Sequence, residues 1–163
     1  MDIFDKEIVS FWKALQAAGV EYMMVGGYAT NMHRYQRFTG DMDIWIHDTL
    51  ENRKRLRIAF REYGIGDMAS LETVQFIPGW VDFYLNNGLR PDILTTMKGL
   101  EEFTFSESYK EASVAEIDGV MVPIIQINHL LKNKKAVNRP KDQLDVIYLE
   151  KIIDLQNKKN LIL

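Results

Sequence analysis

The sequence predicts an α+β domain of α/β-like character, a mixed β-sheet flanked by helices and followed by a helical C-terminal segment. Three observations carry that expectation. Short apolar or alternating runs bounded by glycine read as strands. Between them lie stretches with apolar residues at three- and four-residue steps, the stripe of an amphipathic helix. From Asn128 onward the pattern is helical, with one break at Arg139-Pro140.

Element by element, Ile3, Phe4, Ile8, Phe11, Trp12 and Leu15 form the first helical stripe, which Gly19 ends. Residues 20–25 form a short apolar strand, and Gly26-Gly27 follows immediately. A short helix around Tyr28–Arg34 leads to a second strand, Asp41–Ile46, whose side chains alternate, and then to a helix over Leu50–Tyr63 closed by Gly64 and Gly66. From Thr73 to Met97, β-branched and aromatic residues broken by Pro78-Gly79 and Asn86-Asn87-Gly88 predict two or three strands joined by turns. A β pair spans Ser113–Ile125 with Asp118-Gly119 as its tight turn. The order of elements favours antiparallel neighbours within the sheet.

A length of 163 residues fits one domain, with about 1–125 forming the αβ core and about 126–163 the C-terminal helices. With 47% hydrophobic and 26% charged residues the chain has enough apolar surface for a real core. A net charge of −3 argues against a protein that coats nucleic acid. The absence of cysteine excludes disulfides, thiolate metal sites and a cysteine nucleophile. Acidic residues occupy the N-terminus where a secretory signal needs basic ones, and no apolar run approaches the length of a membrane span. The expectation is a soluble, cytoplasmic protein with no membrane partner.

Asp41-x-Asp43 is the sharpest chemical feature. Residues two apart on a strand project to one face, so these carboxylates can hold a divalent cation between them. Alone, the pair decides nothing, and an exposed strand face or the first turn of a helix is the plainer account of it. Val25-Gly26-Gly27, a strand running into two glycines and a helix, exposes backbone N–H groups that can cradle phosphate, although a glycine pair also serves as a sharp turn. Thirteen residues separate Gly27 from Asp41, which lets both motifs meet at one edge of the sheet.

Hydrophobic-Gly-Gly, a short helix and Asp-hydrophobic-Asp-hydrophobic together resemble the signature of the DNA polymerase β-like nucleotidyltransferase superfamily. The chain resembles its small stand-alone bacterial members, including abortive-infection and toxin-type transferases. The likeness extends through Val122-Pro123-Ile124-Ile125, His129-Leu130-Leu131 and the run Arg139-Pro140-Lys141-Asp142-Gln143-Leu144-Asp145, covering roughly residues 18–150. One departure is Gly27, where many active members carry a serine whose hydroxyl meets phosphate. That resemblance implies a nucleotidyltransferase fold and makes Asp92, in Asp92-Ile93-Leu94-Thr95, the third carboxylate, with Asp82 as its competitor.

The same resemblance implies that Asp41, Asp43 and Asp92 bind one or two Mg²⁺ or Mn²⁺ ions as metal ligands and catalytic groups. A nucleoside triphosphate would then give up its monophosphate to an acceptor hydroxyl on a small molecule, a tRNA or a protein, and pyrophosphate would leave. Gly26 and Gly27 would contact the nucleotide. Arg37 and Thr39, at even spacing before Asp41, share its face if the strand starts early, or else form a solvent-facing strand end. Lys134, Lys135, Arg139 and Lys141 either neutralise triphosphate charge or pair with Asp142 and Asp145 on a solvated helix face. His33, His47 and His129 lack metal-ligand spacing, Tyr28 is expected to pack, and Trp12, Trp45 and Trp80 belong in the core. The alternatives to an enzyme are an inactive nucleotide-binding or protein-interaction module on the same fold, and an interaction protein that binds no nucleotide. A protein partner or a second copy of the chain could complete a site this small.

Overall fold

Residues 5–77, 79 and 83–161 are described by a computed structural model. Ile3, Phe4, Pro78, Trp80 and Asp82, to which the sequence assigned places, lie outside the described residues. Among the described residues the elements are α1 (Lys6–Ala17), β1 (Tyr22–Met24), α2 (Gly26–Met32), β2 (Asp41–Ile46), α3 (Leu50–Tyr63), β3 (Arg90–Leu94), α4 (Phe105–Lys110), β4 (Ser113–Ile117), β5 (Val120–Ile124), α5 (Ile127–Val137) and α6 (Pro140–Asn160). The strands form one sheet in the order β3-β2-β1-β5-β4. β1 runs antiparallel to β2 and parallel to β5, β3 runs parallel to β2, and β4 runs antiparallel to β5. The sheet is therefore mixed.

Strand alternation sorts the apolar residues into two cores. Met24, Met42, Ile44 and Ile46 pack with Ile8, Phe11 and Trp12 of α1 and with Leu56 and Phe60 of α3. On the opposite face Met23 and Trp45 pack with Leu130 of α5 and Leu149 of α6. Asp41 and Asp43 share the parity of Trp45, so they project toward the face covered by α5 and α6. Among the described residues no helix is long and apolar enough to cross a membrane.

Local signals are realised closely in three places. α3 has the expected limits, with Thr49 capping its start through the N–H of Asn52 and Gly64 ending it. Asp118 and Gly119, at φ of 49° and 77°, form the two-residue hairpin turn that needs positive φ at both positions. Asn138 ends α5, and Pro140 occupies the first turn of α6.

Between Thr73 and Met97 the described residues contain one strand, β3, in place of two or three. The apolar residues there work as separate anchors: Phe76, Phe83, Leu85 and Leu89 are each buried. The Arg53 guanidinium donates to the carbonyls of Leu71 and Val74 (3.2 and 2.6 Å), and Asn86-Asn87-Gly88 is a turn closed by the Leu85 N–H donating to the Leu89 carbonyl (2.8 Å). Backbone groups satisfied in this way need no neighbouring strand. The composition signalled burial, and burial was met without a ladder. α4, with a capping box from Thr104 and Glu107, was not anticipated.

Candidate active site

β2 and β3 run parallel with Asp43 opposite Asp92 and Asp41 opposite Arg90. This register sets the three carboxylates on one sheet face. α2 begins directly after β1, so Gly26 and Gly27 sit beside them. A cleft of about 530 Å³ results, and its lining includes Gly26, Gly27, Arg37, Thr39, Asp41, Asp43, Asp92 and Lys134. The three carboxylates, the glycine pair, Arg37, Thr39 and Lys134 thus face one space.

The glycine pair is needed for close packing. Gly26 has φ of +61°, and a Cβ there would collide with the Asp43 carboxylate; a Cβ on Gly27 would stand 2.5 Å from Thr39 Oγ1. Gly26→Ala should therefore destabilise the fold by at least about 1–2 kcal/mol from the left-handed backbone alone. Gly40→Ala, where a Cβ meets open space, should be close to neutral when the two variants are compared by urea titration.

The Asp43 carboxyl is pushed up to about 6, first by burial and then by the neighbouring charges of Asp92 and Asp41, with Lys134 and Lys141 working against the rise. The acids therefore repel one another across the site. Asp41 has Arg90 beside it at 3.6 Å, and Asp92 accepts the Gly79 N–H at 3.1 Å. Among the described residues no group of three or more His, Asp or Glu side chains is arranged around a single cation position. The donors are hard carboxylate oxygens, and the half-buried Asp43 is raised in pKa by desolvation first and like charges second. That chemistry suits Mg²⁺ or Mn²⁺ bound through one or two carboxylates together with substrate phosphates.

Behind the cleft lies an ion network that changes the reading of the cationic residues. Lys134 is 2% exposed and stands 3.0 Å from Asp142 and 3.1 Å from Asp145, both fully buried. It is not on a solvated helix face. Arg37 holds Asp145 through two donors at 2.7 and 2.9 Å, and Arg139 holds Asp142 at 2.7 Å. Burial on its own would raise Asp142, but the hydrogen bonds from Arg139 and Lys134 outweigh it and hold the carboxyl down at about 2. Arg37 and Thr39 precede β2 in a loop and are not part of an early strand. The Thr39 hydroxyl donates to the Asp41 carbonyl at 3.2 Å, while Arg37 is drawn to Asp145, 108 positions away. Lys135 points outward and pairs with Glu150 at 2.7 Å, and Lys141 is exposed on the rim of the cleft.

The cleft also takes in Arg90, Thr96, Lys98 and Asn133, which the sequence reading left out. Arg90 lies two residues before Asp92 on the same strand, so period-two alternation was a signal for it. Lys98 and Asn133 come from a loop and from α5, and no local pattern marks them. Tyr28, Trp12 and Trp45 are buried as expected. His33 bonds the Ile125 carbonyl at 2.8 Å, and His47 pairs with Glu21 at 2.8 Å, both structural roles.

Neither a protein-family model nor a curated protein matches the sequence. Solved structures do. An antigenic nucleotidyltransferase-like protein from Paracoccidioides brasiliensis superposes with a TM-score of 0.56 at 14% identity, over 91% of this chain and 75% of its own. ANT(2″)-Ia in complex with adenylyl-2″-tobramycin superposes with a TM-score of 0.54 at 17% identity, over 93% of both chains. The solution structure of ANT(2″)-Ia gives 0.55 at 16% identity, over 94% of this chain and 89% of the other. With its mixed five-stranded sheet and flanking helices, this chain has the nucleotidyltransferase fold.

Proposed function

We propose that the chain is a metal-dependent nucleotidyltransferase that moves a nucleoside monophosphate from a nucleoside triphosphate to an acceptor hydroxyl. One observation carries the reading: Asp41, Asp43 and Asp92 share a cleft with the Gly26-Gly27 turn in a chain of this fold. These carboxylates would hold one or two Mg²⁺ or Mn²⁺ ions, which when bound neutralise charge as an in-line displacement proceeds at the α-phosphorus. Gly26 and Gly27 let Asp43 and Thr39 pack against the backbone at the cleft wall, and exposed Lys98 and Lys141 there offset the charge of the triphosphate. Asp92 accepts the proton of the acceptor hydroxyl; the hydroxyl oxygen bonds to phosphorus and the bond to pyrophosphate breaks. Lys134 and Arg37 act as positioning residues, because Asp142 and Asp145 engage their charges.

The test is pyrophosphate release with each of the four ribonucleoside triphosphates and Mg²⁺ across a panel of acceptors. ANT(2″)-Ia, seen with adenylyl-2″-tobramycin, directs the first panel to small molecules of that class; tRNA and proteins follow. Saturating triphosphate at a hundred times its dissociation constant stabilises by about 2.7 kcal/mol, so melting should rise by roughly 5–10 °C with metal present. Binding without transfer to any acceptor would favour an inactive nucleotide-binding module, and neither binding nor pyrophosphate would end the proposal.

A further inference from the structure

Arg90 is the most loosely paired of the three arginines that line the cleft. It opens β3 opposite Asp41, and its Nη2 stands 3.6 Å from Asp41 Oδ1, well beyond the roughly 2.7–2.9 Å of a charge-assisted hydrogen bond. Its Nε is buried and has no hydrogen-bond partner among the described residues. The other two arginines of the cleft make short contacts, Arg37 to Asp145 and Arg139 to Asp142, both at 2.7 Å. A guanidinium carries five donors and a permanent charge, so a single loose ion pair with an orphaned Nε marks a resting position that leaves most of its binding capacity unused.

We infer that Arg90 is an exchangeable counter-ion. It balances Asp41 until a divalent cation takes that carboxylate, and the released guanidinium then binds the triphosphate. This rests on the nucleotidyltransferase reading and deepens it by giving loading an internal order. Metal alone must compete with Arg90 for Asp41. Once metal is seated, Arg90 has lost its counter-charge, and phosphate oxygens are the acceptors within the same cleft. Metal and nucleotide therefore strengthen each other's binding by the same factor.

Two affinities measured on native protein, Arg90→Met and Arg90→Lys test the exchange. One is for Mn²⁺ alone, by titration calorimetry; the other is for a nucleoside triphosphate at saturating Mg²⁺. Loss of a half-exposed ion pair should let Arg90→Met bind Mn²⁺ alone roughly twofold to fivefold more tightly. Loss of charge-assisted bonds should weaken its triphosphate binding at least about tenfold. Arg90→Lys keeps the charge and should fall between, which also guards against misfolding of the methionine variant. Opposite signs for the two ligands are the signature, since a merely structural role would weaken both. Unchanged or weaker Mn²⁺ binding, or shifts in the same direction, would overturn the exchange while leaving the transferase reading in place. A native chain that binds neither Mn²⁺ nor triphosphate would remove both.

Discussion

Asp43→Asn should lower nucleotidyl transfer by at least about a hundredfold while making the metal-free protein more stable. The two effects share one cause. Asp43 is half-buried and faces Asp41 and Asp92, and burial followed by their charges pushes its carboxyl from 3.8 up to about 6. For a group raised in this way, the stability it contributes is complete below its unfolded value and is lost as pH rises through about 6. At neutral pH the carboxylate thus works against folding, and asparagine removes the burden, an expected gain of about 1 kcal/mol or roughly 2–4 °C in melting temperature. Activity moves the other way, because one electrostatic group acting on a transition state is worth about 10²–10³ and a metal ligand at least as much. The same reasoning gives a pH dependence: metal-dependent stabilisation by nucleotide should shrink as pH falls below about 6 and protons compete for Asp43. Pyrophosphate release at saturating Mg²⁺ checks the loss of transfer, and thermal melts of native protein and variant at pH 5 and 7.5, with and without Mg²⁺ and triphosphate, check the stability and its pH dependence. A variant less stable than native protein without metal would refute the electrostatic account.

Lys134→Met should cost about 3–5 kcal/mol of folding stability, roughly 6–20 °C in melting temperature. Asp142 and Asp145 are fully buried, and Lys134 bridges them at 3.0 and 3.1 Å. Removing the bridge leaves two buried carboxylates with Arg139 and Arg37 alone. The Asp142 carboxyl is held down at about 2, so its contribution is present above its ordinary value of 3.8 and is lost as pH falls through about 2. Losing Lys134 raises that carboxyl and should move acid unfolding to higher pH. Lys135→Ala is the control next door: its pair with Glu150 is exposed on both sides, and such pairs are worth about 0–1 kcal/mol. Equal losses for the two lysines in a urea titration would show that the buried network is not what distinguishes them.

The distant ends of that network explain why one part of the site was hard to read in advance. Asp41, Asp43, Gly26 and Gly27 are legible because strand alternation and a strand-glycine-helix junction are local patterns, visible within a few residues. Asp92 needed a resemblance, since its partner Asp43 lies on another strand and only the parallel register joins them. Lys134 looked like one member of a solvated lysine run, yet it is buried while Lys135 is not. One step along a helix is about 100° of rotation, and which side is covered depends on where α6 packs.

What the sequence determined by itself is whatever turns on short-range chemistry: the limits of α3, the Asp118-Gly119 hairpin, the break at Pro140, and two aspartates on one face of β2. Each follows from backbone sterics, capping or alternation within about a turn of chain. The tertiary structure decided everything that depends on long-range pairing. It tied Arg37 to Asp145, buried Phe76 and Phe83 as separate anchors, and set Arg90 loosely against Asp41. Those outcomes are settled by which buried charges and backbone groups find partners across the fold, and the free energy of such a partnership belongs to both ends at once.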